Sequence, residues 1–365
     1  MGNCVSYITT GGIDLKKHFR MSALVMAAML VFLCSCMQQK RENKRSFNAD
    51  NIYNHGEATH IDHGALEDSG DMRSWIYATS ETTHAQGQND LNLVVSDPNE
   101  PVFLSFHQTG KDRKMRLLVY VDYTSREFAI GESESKENYY NFEIKNNEEI
   151  ILPIYIDYSD ISLDISHRLI FMLIPGYDQY AKDKDDVTYN PVVSTMYQLY
   201  FEEYRENMTC EGSEEKTQAE KMVYYDGNGL NILLNTDYEM EEHAAEKGTR
   251  LPEKLYTIGN SEVMKMKMNC YVSNLSIPEK YALVFLTVGN LPAQIDGKEY
   301  MVVDLNNMQM GEKEIVLSLP VESGVYDTIG HVVYNPFEPM MNGESGFVYS
   351  SPRFSVEVLG KELEE

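Results

Sequence analysis

From about residue 90 onward, apolar residues recur at every second position in short segments separated by turn residues. A period of two sends successive side chains to opposite faces of a strand, so this pattern commits the chain to β-sheet with a buried side. Leu117, Val119, Val121 and Tyr123 share one face. Ile150, Leu152, Ile154 and Ile156 alternate with Ile151, Pro153, Tyr155 and Asp157, and Met264, Met266, Met268 and Cys270 alternate with Lys265, Lys267 and Asn269. One polar face implies antiparallel sheet covered on a single side. Long helical patterns are absent, and the best helical candidate, 213–222, is polar and short.

The strand pattern also repeats. Ile150, Leu152, Ile154 and Ile156 fall on Ile315, Leu317, Leu319 and Val321, and RLLVYVDY (116–123) falls on ALVFLTVG (282–289). Asn141–Lys145 meets Met301–Leu305, while Tyr197, Leu199 and Phe201 meet Phe354, Val356 and Val358. His167 and His331 take equivalent places at strand starts. Several pairings in one order predict a duplicated unit, each copy with about seven short strands, the grammar of a β-sandwich resembling the immunoglobulin class. The predicted fold is therefore all-β, two tandem antiparallel β-sandwiches covering 86–203 and 227–361, with a polar linker over 204–226. The resemblance is one of architecture, because the only tryptophan, Trp75, precedes the first unit.

A chain of 365 residues with 42% hydrophobic residues can bury two such cores. Its formal net charge is -26. Residues 1–35 carry Lys16, Lys17 and Arg20 against Asp14, so the remainder is more acidic than the whole. That field repels phosphate backbones and argues against nucleic acid as a partner.

Lys16, Lys17, His18 and Arg20 stand directly before an apolar run, Met21–Leu33, too short to span a bilayer comfortably. The run ends in Leu33-Cys34-Ser35-Cys36, which resembles the lipobox of bacterial lipoproteins: aliphatic, variable, small, cysteine. The resemblance implies a signal peptide over 1–35, cleavage before Cys36, and lipid on the Cys36 thiol. Residues 36–85 then read as a polar tether. The implied location is the bacterial cell envelope, membrane-attached through lipid on Cys36 and facing outside the cytoplasm. Durable attachment requires more than one acyl chain. Outside the cytoplasm, Cys210 and Cys270 are the remaining thiols, and the sequence leaves open either a disulfide between them or two separate thiols.

Chemistry is sparsely signalled. His55, Glu57, His60, Asp62 and His63 cluster within a few residues, and HIDH resembles half of a metallo-β-lactamase ligand motif, yet the preceding HxH is missing. A solvated linker is the better reading, and no metal is expected. Asp178, Asp183, Asp185 and Asp186, and DGNG at 226–229, lack the spacing of a calcium loop. No GxSxG, HExxH or glycine-rich phosphate loop is present, so neither a catalytic residue nor a cofactor is expected. Tyr155, Tyr158, Tyr177 and Tyr180, near strand ends or loops, offer a sugar-binding alternative, but tyrosine is also favoured in sheets for packing. The expected role is binding rather than catalysis. The expected partner is another envelope protein or an extracellular ligand, met by the loops at the sandwich ends. An envelope hydrolase without a local motif is the competing class.

Overall fold

The computed structural model describes residues 53–64, 73–80, 91–132, 135–182, 192–201, 216–218, 221–222, 232–235, 255–258, 263–271, 281–304, 310–337, 340 and 348–359. Leu33, Ser35 and Cys36, together with Asp183, Asp185, Asp186, Cys210 and the 226–229 turn, lie outside them. The described elements are all strands. The first half holds β1 (Thr59–Asp62), β2 (Arg73–Thr79), β3 (Asn92–Val95), β4 (Val102–Thr109), β5 (Arg113–Val121) and β6 (Thr124–Ser125). It continues with β7 (Phe128–Ile130), β8 (Tyr140–Ile144), β9 (Glu148–Ile156), β10 (His167–Pro175) and β11 (Val193–Phe201). The second half holds β12 (Lys216–Gln218), β13 (Lys221–Met222), β14 (Ile232–Asn235), β15 (Leu255–Ile258), β16 (Val263–Tyr271) and β17 (Tyr281–Val288). It ends with β18 (Leu291–Ala293), β19 (Tyr300–Asp304), β20 (Met310–Ser318), β21 (Gly324–Tyr334), β22 (Tyr349–Ser350) and β23 (Phe354–Val358).

Each half is a sandwich, and the two share one topology. In the first, β1-β9-β4-β2 faces β3-β11-β10-β5, with β8 and β6 pairing successive parts of β5. In the second, β13-β20-β16-β14 faces β15-β23-β21-β17, with β19 and β18 pairing successive parts of β17. Both copies depart from pure antiparallel order where β3 runs parallel to β11 and β15 parallel to β23, while among the described strands β7 on β9 belongs to the first copy alone and a second parallel pair, β12 on β19, to the second alone. The internal repeat is thus a repeat of strand pairing. One of the sequence matches holds in detail: Tyr197, Leu199 and Phe201 enter the first core, while Phe354, Val356 and Val358 enter the second.

Two other matches shift. Val121 and Val288 each precede a two-residue turn with positive φ, Asp122-Tyr123 (49° and 70°) and Gly289-Asn290 (60° and 60°). Val121 therefore corresponds to Val288, one residue beyond the alignment of RLLVYVDY with ALVFLTVG. A one-residue slip exchanges faces, and strands apolar on both faces give a pattern search nothing to detect it by. Asp122 N donates to Arg168 O and Gly289 N to Asp327 O in equivalent turns, at 2.8 and 2.7 Å. His167 consequently matches Tyr326, and His331 matches Met172, so the two histidines are not equivalent. At the end of β20, Leu319 is buried as expected, but Val321 is 75% exposed because the strand stops at Ser318.

The apolar second face has a structural reason. The sheet containing β5 and β10 is covered on one side by its own sandwich core and on the other by the second half. Leu118, Tyr120, Ile170, Met172 and Ile174 meet Leu283, Phe285, Ile329 and Val333, making four stacked layers rather than two separate sandwiches. All nine residues of β10 are buried. Each large side chain removed from water there contributes about 1.5–3 kcal/mol. The expected one-sided burial holds for β16, where Met264, Met266 and Met268 are buried and Lys265 and Lys267 are not, whereas in β4 Phe103 and Ser105 are buried along with the core-facing residues.

A polar latch fixes the stack at one end. Arg353, partly buried, lies 3.0 Å from the buried Asp327 Oδ2 through Nε, and donates to Pro175 O (3.1 Å), Gly176 O (3.3 Å) and Asn290 Oδ1 (3.0 Å). Asn290 Nδ2 donates to Tyr177 O at 2.8 Å, and Ser355 Oγ to Asp327 Oδ1 at 2.6 Å. Burial raises the Asp327 carboxyl despite Arg353 and Ser355. A largely buried pair of this kind orients neighbours more than it stabilises them.

The stretch 36–85, expected to be tether, contributes β1 and β2 to the first sandwich. Ahead of β1, the chain from Tyr53 runs over the outer sheet: Tyr53 and His55 stand edge-on to Phe103, with ring centroids 4.9 and 5.3 Å away. A side chain at Gly131 (φ 66°) would come within 2.0 Å of Gly56 O, so glycine is what lets this strap lie down. Residues 216–218 and 221–222, inside the one helical candidate, are strands.

Candidate functional site

Three connections of the first sandwich converge at one end. The β4–β5 turn carries Lys111 and Asp112, the β8–β9 turn carries Lys145 and Asn147, and the chain after β10 carries Asp178 and Gln179. Gln108, fully buried on β4, holds the first two together by donating to Lys111 O (2.8 Å) and Ile144 O (3.2 Å). Across the same gap, Gly110 N donates to Asn146 Oδ1 at 2.9 Å and Asn146 N to Asp112 Oδ1 at 2.8 Å. These bonds set the turns as the walls of an open pocket of about 750 Å³.

The lining is charged in both signs: Lys111, Arg113, Lys114 and Lys145 with Asp112, Glu143, Glu148 and Asp178, and His60 at the rim. Most carboxylates are already engaged. Glu148 accepts from Lys145 N at 2.6 Å and lies 2.9 Å from His60 Nδ1, while Asp178 lies 2.8 Å from Lys114 Nζ. The Asp178 hydrogen bond and charge hold the Lys114 ammonium above its ordinary range. Lys111 and Lys145 have no ion-pair partner among the described residues. The arrangement suits recognition of a polar or charged surface by ion pairs and hydrogen bonds.

The histidine cluster does not assemble. His55 packs on Phe103, His60 reaches Glu148, and His63 Nε2 lies 3.1 Å from Glu149 Oε2. Among the described residues, no three His, Cys, Asp or Glu side chains are grouped as metal ligands. Cys270 is a free thiol with no exposed surface, pushed up to about 12 by burial. The tyrosines scatter: Tyr158 is buried, Tyr155 hydroxyl donates to His55 O at 3.4 Å, Tyr177 lies under Arg116 (4.6 Å to the ring centre), and Tyr180 is exposed. They form no shared platform. Lys111, Lys145 and Glu148 had no sequence signal beyond their places beside predicted strands.

No family model matches the sequence, and no curated protein matches it. Among solved structures, the E. coli chaperone DraB is similar at a TM-score of 0.21 and 12% identity, covering 78% of this chain and 97% of that one. The Salmonella enterica SafA pilin–SafB chaperone complex gives 0.22 and 12%, covering 78% and 96%. The Acinetobacter baumannii CsuC–CsuE chaperone–tip subunit complex gives 0.22 and 8%, covering 79% and 99%. The fold itself defines an all-β protein built from immunoglobulin-like sandwiches.

Proposed function

We propose that this chain is a non-catalytic binding protein of the bacterial cell envelope, anchored by lipid on Cys36. The observation that carries the binding role is the charged pocket at the end of the first sandwich, walled by turns on a four-layer scaffold. Asp112, Glu148 and Asp178 are held in pairs or by backbone N–H groups, an arrangement for matching charges rather than for exchanging protons. The location follows from Leu33-Cys34-Ser35-Cys36 behind a basic and apolar leader. The partner is another envelope protein or an extracellular ligand of mixed charge.

The test is capture from intact cells by the tagged full-length chain, compared with a Lys111→Glu/Lys145→Glu variant of unchanged melting temperature. Recovery of one stoichiometric envelope protein by the parent and its loss with the variant supports the proposal. Equal capture by both would move the contact away from this pocket.

A further inference from the structure

Trp75, the only tryptophan in the chain, sits on the outward face of β2 and is 49% exposed. In register it lies opposite His107 on β4, which lies opposite Glu149 on β9, so the three side chains form one row across the sheet. The indole stacks on the His107 ring, centroids 5.0 Å apart and planes 14° from parallel. His107 is itself fixed: Nε2 lies 3.1 Å from Asn147 Oδ1, His63 stands edge-on at 4.9 Å, and Asn147 Nδ2 donates to Gly64 O at 2.7 Å. Glu149 accepts from Tyr77 hydroxyl at 3.2 Å and from Ser105 Oγ, and its other oxygen faces His63.

This is a flat aromatic surface held at a set angle inside a collar of polar groups. Among the described residues, the other exposed large apolar side chains, such as Leu163, Ile165 and Val321, belong to no strand of this sheet. A protein hot spot buries its aromatic anchor among apolar neighbours. A pyranose needs something different: one ring for its C–H face and planar acceptors and donors beside it for its hydroxyls. Glu149, with about four acceptor positions and three in use, retains one for a hydroxyl. The acidity of the whole chain disfavours an anionic sugar.

We infer that the Trp75–His107–Glu149 row is a binding site for an uncharged pyranose unit of an extracellular glycan. It lies on the sheet face, apart from the charged pocket, so either assignment stands if the other fails.

Because Trp75 is the sole indole, its emission reads the site directly. The full-length chain in a sugar-free detergent is titrated with neutral hexasaccharides of glucose, mannose, xylose and N-acetylglucosamine. Calorimetry repeats each titration on Trp75→Ala, Glu149→Gln and Tyr77→Phe, with melting curves to verify folding. The expected result is a saturable shift of emission with at least one saccharide. Affinity should then fall at least about tenfold in Trp75→Ala and more modestly in Glu149→Gln, with melting unchanged. No saturable change with any of the four, or equal affinity in folded Trp75→Ala, overturns the inference. If Trp75→Ala does not fold, undiminished affinity in Glu149→Gln and Tyr77→Phe overturns it as well.

Discussion

His331 has no exposed surface; it lies between Phe285, 5.0 Å away, and the hydroxyls of Thr287 (3.3 Å from Nε2) and Ser350 (2.9 Å from Nδ1). Burial without a countercharge drops its pKa to about 3 from an ordinary 6.5. The unfolded chain therefore binds a proton there that the folded chain refuses. Stability from this group is complete above about pH 6.5 and falls by about 1.4 kcal/mol per unit as the pH drops toward 3. His331→Met, the residue its counterpart position carries, should flatten that slope in urea denaturation at pH 7 and pH 5; parallel slopes would refute the assignment. His167 behaves oppositely. Burial lowers it, but the Asp122 hydrogen bond and charge and the Ser162 carbonyl outweigh burial and the repulsion of Arg126, so its pKa is raised. Its contribution is present below about pH 6.5 and lost as the pH rises through the raised value. The deficit of His167→Gln relative to the parent should accordingly be larger at pH 5.5 than at pH 9. Nothing in the sequence separates these two histidines, since the difference lies in what the other sheets bring beside them.

Strand existence was legible because alternation is a local property, and both β9 and β20 were readable from their own residues. Their inward faces are the predicted ones: Ile150, Leu152 and Ile154 in one core, Ile315, Leu317 and Leu319 in the other. The end of β20 was not legible, since Val321 continues the apolar pattern past the last ladder bond. Leu317→Ala should cost about 2–5 kcal/mol in chemical denaturation, whereas Val321→Ala should stay within about 0.5 kcal/mol. Comparable losses would mean that the strand runs on. The register of β5 against β17 escaped for the reason given by Leu118 and Phe285: both point at the other sandwich, so the strands are apolar on both faces. β1 escaped because Thr59, His60 and Asp62 are polar, and β2 because Trp75, Ile76, Tyr77 and Ala78 run together without alternation. The pocket was invisible locally, because Lys111, Lys145 and Asp178 come from separate turns.

At the scale of the molecule, the stacked inner sheets and the Arg353 latch tie the two sandwiches into one body, as residues 53–365 form a single compact unit. Unfolding of the parent should then follow one transition by both calorimetry and circular dichroism. Phe285→Asp buries an unpaired charge in the stack and should split that transition in two or lower it sharply; an unchanged single transition would contradict a shared interface. A compact unit of this kind holds both the pocket and the sheet face, and the proposed membrane attachment is the claim on which its cellular role depends. The direct measurement is the mass of the N-terminal peptide from the protein isolated from its own cells. The expected result is a chain beginning at Cys36 whose mass carries a diacylglycerol and a further acyl group. A peptide beginning elsewhere, or a Cys36 with a bare thiol, would contradict it.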